Sequence, residues 1–306
     1  MNAITEKLLG IVSDWKGSFE GAFNIRENGE CAGRQSSRFT LIESKTDGPG
    51  LVIHVLPGAK NEKVYIPACV THGDIDDLVY NDFYIGEGAD VTIIAGCGVH
   101  TDDEEEARHN GIHRFFVEKG AHVLYKEKHI GTGGGTGARR IDPVTDIVLK
   151  EDASLEMDTI QLSGVDSTFR KTKAVLGDRA RLVIHESILT DGEETAETDF
   201  EVVMNGEDSG VNLVSRSVAK DNSRQSYHSR IEGRNRCSGH SECDAILVGH
   251  GTVNASPDLF AGHIDASLIH EAAIGKIAGE QILKLRTFGL TEEEAEQKII
   301  DGFLKG

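Results

Sequence analysis

Aromatic residues are scarce in this chain, at 6% with a single Trp, and proline numbers only 5. Few ring faces argue against a carbohydrate-acting or carbohydrate-binding surface, and Trp15 itself falls in an N-terminal helical stretch. So little proline leaves the chain without the composition of a disordered linker. Cysteine is sparse as well. Cys31, Cys69, Cys97, Cys237 and Cys243 are too few and oddly numbered for a disulfide framework, which predicts reduced thiols. No segment approaches the ~18 uninterrupted apolar residues of a membrane span, and Glu6, Asp14 and Glu20 interrupt the place where a secretory signal would be apolar. Basic charge is in deficit, since 32 Lys plus Arg against 51 Asp plus Glu leave a formal −19. That balance disfavours phosphate backbones and anionic lipid surfaces, so neither nucleic acid nor membrane is an expected partner, and a cytoplasmic location is expected.

Glycine, by contrast, is abundant at 35 of 306 residues, and frequent turns predict many short strands. Leu8, Leu9, Ile11, Val12 and Trp15 fall at helical spacing over residues 5 to 15. From about Cys31 the pattern changes to period two, as in Leu51, Ile53 and Val55 or Leu182 and Ile184, bounded by Gly and Asp clusters. These strands recur in a fixed setting: a small residue, a polar one, then an aliphatic one. Ala89, Ala121, Ala153 and Ala180 mark it at gaps of 32, 32 and 27 residues, and the 86 residues to Ala266 divide into three steps of about 29. Such a period signals stacked coils, and two strands per repeat fit a β-helix better than a four-stranded propeller blade; a β-sandwich is the bland alternative. At the C-terminus Ile274, Ile277, Ala278, Ile282 and Leu285 form one helical stripe. A capping box at Thr291 and Glu294 opens a second, carrying Ala295, Ile299, Ile300 and Phe303. The divisions predicted are a helical segment over 1–30, a β-helix core over 31–269 and a helical segment over 270–306.

Motifs of common enzymes fail on their own chemistry. The run Gly131–Gly137 is followed by Ala138-Arg139-Arg140 rather than the Lys and Ser or Thr of a P-loop, and Pro143 stands where a phosphate-binding helix should run; a flexible or partner-ordered loop is expected. His270-Glu271-Ala272-Ala273-Ile274 lacks the second His of a zinc protease. No serine triad or carboxylate pair stands out. The densest group of soft and borderline ligands is Cys237, His240, Cys243, His250, His263, His270 and Glu271. It suits iron or an iron–sulfur site, against the alternative that the thiols are small buried apolar residues.

The run His270-Glu271-Ala272, Lys276-Ile277, Gln281, Gly289 to Ala295 and Ile300-Asp301-Gly302-Phe303 resembles the closing segment of the SufB/SufD scaffold proteins of the SUF iron–sulfur assembly system. Ser223 to Tyr227 and Cys243 to Gly249 are similar to that family's last coils, and Gly96-Cys97 matches more weakly. The resemblance implies a right-handed parallel β-helix in a dimer, homomeric or of SufB/SufD type, with C-terminal helices that dock a SufC-like ABC ATPase. It implies a non-enzymatic scaffold that holds a transient iron–sulfur cluster, supplied by a sulfur donor and passed to apo-protein acceptors, with ATP hydrolysis left to the partner. By position His270 and Glu271 would stand at the cluster or iron site, and Cys97 would match the cysteine that receives sulfur. Thr252 occupies the place of the family's acceptor cysteine. Either Cys243 or Cys237 then takes over as ligand, or the chain is a SufD-like partner with no cluster of its own. Ile299, Ile300 and Phe303 are the expected ATPase-docking anchors.

Overall fold

The computed structural model describes residues 1–305. In chain order the elements are α1 (Ala3–Val12), β1 (Ala22–Glu27), β2 (Glu30–Gln35), β3 (Thr40–Ser44), β4 (Gly50–Val55), β5 (Glu62–Val70), β6 (Ile75–Ile85) and β7 (Asp90–His100). Next come β8 (Ala107–Val117), β9 (His122–Thr132), β10 (Arg139–Ile141), β11 (Val144–Leu149), β12 (Ser154–Gln161), β13 (Ser167–Leu176) and β14 (Arg181–Thr190). The last coils hold β15 (Thr195–Met204), β16 (Ser209–Ala219), β17 (Arg224–Gly233), β18 (Cys237–Leu247), β19 (Thr252–Ala261) and β20 (Ala266–Lys276), followed by α2 (Gly279–Arg286) and α3 (Glu292–Lys305).

The strands build a parallel β-helix with two faces. One sheet stacks β1, β5, β7, β9, β12, β14, β16, β18 and β20 in parallel, with β2 folded back antiparallel on its edge. The other runs from β4 through β6, β8, the β10–β11 pair, β13, β15 and β17 to β19, and β3 closes its N-terminal edge antiparallel. Alternate side chains of both sheets point inward and meet in one continuous core, which includes Ile53, Phe83, Ile93, Leu182 and Phe200. Phe83 and Phe115 stack there at 4.5 Å.

The alanine period has a specific cause. In the four coils marked by Ala89, Ala121, Ala153 and Ala180 the residue before the marker adopts left-handed backbone: Gly88 and Gly120 at φ +64° and +62°, then Asp152 and Arg179 at +57° and +55°. That corner turns the chain into the next strand, and the marker alanine, fully enclosed, receives the coil above. His122 N–H donates to Ala89 O at 2.8 Å, Ser154 N–H to Ala121 O at 2.9 Å and Arg181 N–H to Ala153 O at 2.9 Å. A larger side chain at the corner would collide with the stacked neighbour. Strand register extends the series through Ser209 and Cys237 to Ala266, so the missing steps of the period are a serine and a cysteine.

Three sequence expectations need adjustment. Strand structure begins at Ala22 and ends at Lys276, beyond the 31–269 expected for the β-helix. Ile274 lies on β20, paired with Ala245 of β18, rather than on a helix, because the open edge of β18 offers a full row of backbone partners. Gly131–Gly137 is a stacked corner: Gly135 N–H donates to Thr101 O at 3.1 Å, Gly137 N–H to Asp103 O at 2.9 Å and Gly134 N–H to Asp102 Oδ1 at 3.0 Å. The Thr291–Glu294 capping box closes as expected, at 2.8 and 3.2 Å. Among the described residues no helix is long and apolar enough to cross a membrane.

Candidate functional site

A buried polar file

Charged residues occur inside the solenoid at positions whose strand phase is apolar. On β9 the inward series Val123 and Tyr125 continues as Glu127 and His129; on β14, Leu182 and Ile184 continue as Glu186. Cys97 projects inward from β7 beside His129, and the outward neighbours Gly96 and Gly98 explain its setting. A Cβ at Gly96 would lie 2.6 Å from Val12, and one at Gly98 3.0 Å from Leu8, so α1 can lie flat over β7 only because both residues are glycine. The ligand atoms of Cys97, Glu127 and His129 lie within 4.8 Å of one another, all on buried residues.

Arg170 reaches this group from the opposite sheet. Its Nη1 donates to Glu127 Oε2 at 2.8 Å, Nη2 is 3.2 Å from His129 Nδ1, and Nε is 3.2 Å from Glu186 Oε1. Thr198 and Ser215 hydroxyls donate to the two oxygens of Glu186 at 3.0 and 2.9 Å. Tyr125 OH donates to Glu127 at 2.8 Å and is itself 2.8 Å from His113 Nδ1. Burial by itself raises the Glu127 carboxyl, yet His129 and Arg170 outweigh it and hold Glu127 well below the usual range. Glu186 stays raised, burial prevailing over Arg170. Burial pushes the Cys97 thiol well above its ordinary value.

Strand register joins these residues into a line. Glu127, Thr159, Glu186, Ser215 and Cys243 occupy successive inward positions from β9 to β18. Cys243, buried, has its thiol pushed up to about 12 by that burial and by Glu186 and Asp244. At the other end a cavity of about 290 Å³ opens beside Cys97 under the β1–β2 hairpin, lined among others by Arg26, Arg34, Lys45, His109, His113 and Cys31. Removing so many polar groups from water is costly unless each is paired, and apolar residues of similar volume would often serve stability as well or better.

The terminal coil

His270 lies on the inward face of β20, in register with Ser241, and its buried Nδ1 has no hydrogen-bond partner among the described residues. Cys243 shares that face one strand below. Glu271, the next residue, points outward beside Glu242. The structure therefore brings Cys243 and His270 to one face and sets Glu271 on the other. Cys237 is not brought to this group at all: six residues from Cys243 along one strand is about 20 Å, and Cys237 fills the corner position of its coil, inside the hydrophobic core. All five cysteines are free thiols.

Of the expected docking anchors, Ile300 is 1% exposed and packs with Ala295 on the chain's own solenoid, where Ser187 Oγ donates to Leu304 O at 3.0 Å. Ile299 and Phe303 are half-buried, Phe303 lining a groove with Ile246 and Ile274. Helix α2 buries no residue, and Leu283 and, just beyond its end, Phe288 are largely exposed. Glu127, His129, Arg170 and Glu186 escaped the sequence reading, although a charged residue falling in the apolar phase of a strand was the available signal.

Comparisons with known proteins agree with this architecture. Residues 81–303 match the model of the SUF system FeS cluster assembly, SufBD core domain. An iron-sulfur cluster assembly SufBD family protein of Methanothermobacter thermautotrophicus is 30% identical over 86% of this chain and 64% of its own length. Another, of Archaeoglobus fulgidus, is 28% identical over 89% of this chain and 72% of its own. A Synechocystis member is 23% identical over 77% of this chain and 51% of its own. The matched region thus spans slightly less than two thirds of the Methanothermobacter relative. With a β-helix closed by two helices and a match over most of its length, the chain belongs to the SufBD family of iron–sulfur cluster assembly proteins.

Proposed function

We propose that this chain is a scaffold that accepts sulfur at Cys97, carries it through the interior and supports cluster assembly at the terminal coil. The continuous polar file between two buried thiols carries this reading. Cys97 attacks the outer sulfur of a donor persulfide. The new S–S bond forms on Cys97 as the donor's S–S bond breaks, and the departing donor sulfur takes the Cys97 proton and leaves as a thiol. Five strand spacings separate β7 from β18, about 24 Å, so a direct thiol-to-thiol hand-off to Cys243 is out of reach; a dithiol reductant breaks the Cys97 S–S bond, leaving as its disulfide as Cys97 regains its thiol, and the sulfur, released as hydrogen sulfide, travels the file. Cys243 and His270 then hold the nascent cluster from inside, with Glu271 on the outer side of the same strand.

The terminal coil also offers the surface for a second β-helix, since β19 and β20 end both sheets and expose Leu259, Phe260 and Ile269. Leu283 and Phe288, with Phe303, form the face on which an ABC-type ATPase of the SufC kind docks, and ATP hydrolysis belongs to that partner. A second reading, a SufD-like subunit without its own cluster, draws on Thr252 at the family's acceptor position.

The test is anaerobic. Whole protein is treated with glutathione persulfide and mapped by mass spectrometry, then given ferrous iron and sulfide and read by thiolate-to-iron charge-transfer absorbance. The proposal expects a one-sulfur gain on Cys97 and a cluster that Cys243→Ser abolishes. Persulfide on other thiols only, or no cluster in the wild-type chain, would overturn it, the latter in favour of the SufD-like reading.

A further inference from the structure

We propose that the outer face of the terminal coil carries a ferrous-iron loading site formed by His240, Glu242 and Glu271. The ligand atoms of these three lie within 4.8 Å of one another. Strand alternation puts His240 and Glu242 on the outer face of β18, and register sets Glu271 of β20 directly beside Glu242. Like charges opposite each other across a strand pair are destabilising, and neither carboxylate forms an ion pair with Lys or Arg among the described residues.

The imidazole decides what fills the gap. His240 Nδ1 lies 2.8 Å from Asn212 Oδ1, an acceptor, so Nδ1 carries the proton and donates it. The other ring nitrogen, Nε2, then faces Glu271 Oε2 at 3.6 Å. Three candidate ligand atoms converge, and an outer partner fixing the other ring nitrogen is how metal-binding histidines are oriented. One imidazole nitrogen and two carboxylates suit a divalent ion of borderline hardness and leave coordination positions open. A similar grouping of Glu156, Asp158 and His185 on β12 and β14 lacks such an orienting residue, because His185 Nδ1 is turned to Asp158 itself at 3.4 Å.

The choice of iron among divalent ions rests on the assembly function above; the site rests on its own geometry. Glu271 acquires different companions from those its sequence position suggested. It works with His240 and Glu242 outside the solenoid, while Cys243 and His270 face the interior. Iron and sulfur accordingly reach the terminal coil from opposite sides of one sheet.

Whole apo-protein is titrated anaerobically with ferrous iron, with no sulfide or persulfide present, and retained iron is counted after gel filtration. Manganese(II) titration followed by electron paramagnetic resonance reports the same site spectroscopically. One iron per chain is expected, weakened at least tenfold by His240→Ala, Glu242→Gln or Glu271→Gln and unchanged in Cys243→Ser and Cys97→Ser. Circular dichroism melting confirms that the variants fold; if His240→Ala does not, Asn212→Ala, which frees the ring without deleting a ligand, must still weaken binding. Absence of retained iron, dependence on Cys243 in place of the triad, or a His240 that serves only as a protonated partner of Glu271 with no metal affinity would overturn the proposal. Sulfur transfer to Cys97 is read separately, so either conclusion can fail alone.

Discussion

Arg170 Nη1 stands 2.8 Å from Glu127 Oε2 in the middle of the solenoid, one residue from each sheet, both closed to solvent. Breaking such a pair on one side strands a charge. Arg170→Met should cost about 3–5 kcal/mol in urea unfolding, because Glu127 and Glu186 lose their common cation. Replacing all three with apolar residues of similar volume should recover most of that stability while abolishing sulfur transfer. Recovery of both properties would show that the file has no role in transport.

The pH dependence of stability follows from His113. Burial lowers this imidazole from 6.5 to about 4, so the unfolded chain takes up a proton that the folded chain refuses. Its contribution is complete above pH 6.5 and is lost as pH falls toward 4, about 3 kcal/mol in all. Glu186, raised by burial, acts in the opposite sense. Unfolding curves of the wild type and His113→Asn across pH 4–7 isolate the histidine share: the variant should show the flatter slope.

Gly96 tests the seat of α1. Gly96→Ala places a methyl against Val12 and should cost about 1–3 kcal/mol by overpacking, read as a lowered melting temperature.

The cysteines divide by place in the coil. Cys237→Ala should be nearly neutral, within about 1 kcal/mol, since alanine is the ordinary occupant of that corner. Cluster retention should survive it and vanish in Cys243→Ser, measured by thiolate-to-iron charge-transfer absorbance after reconstitution.

Docking should follow exposure. Leu283→Asp or Phe288→Asp should leave the melting temperature unchanged and eliminate capture of the ATPase, whereas Ile300→Asp should unfold the C-terminal segment. Unchanged affinity in the first two would move the docking face elsewhere.

The coil architecture was legible because corner chemistry repeats: Ala89, Ala121, Ala153 and Ala180 carry the period openly. It faded after Ala180 since Ser209 and Cys237 satisfy the same steric demand with different atoms, and this hid Cys237 among the ligand candidates. The strand at Ile274 was misread as helix because Ile274, Ile277 and Ala278 straddle a strand end and a helix start that share one apolar stripe. At the site, Cys97 and Cys243 were visible as residue types, but Arg170 joins Glu127 only through the pairing of two sheets, a relation that no local spacing encodes. The opposite facing of His270 and Glu271 was implicit in strand alternation, once that segment is a strand.

Stacked coils also make the interior route discrete. Each coil contributes one step to the line from Glu127 to Cys243, and coils meet through the same corner hydrogen bonds. Inserting or deleting a whole coil near Ala180 would therefore change the distance between the two thiols by a single strand spacing, about 4.8 Å, while leaving the chemistry at either terminus untouched. In this fold, the separation of the two thiols is counted in integers.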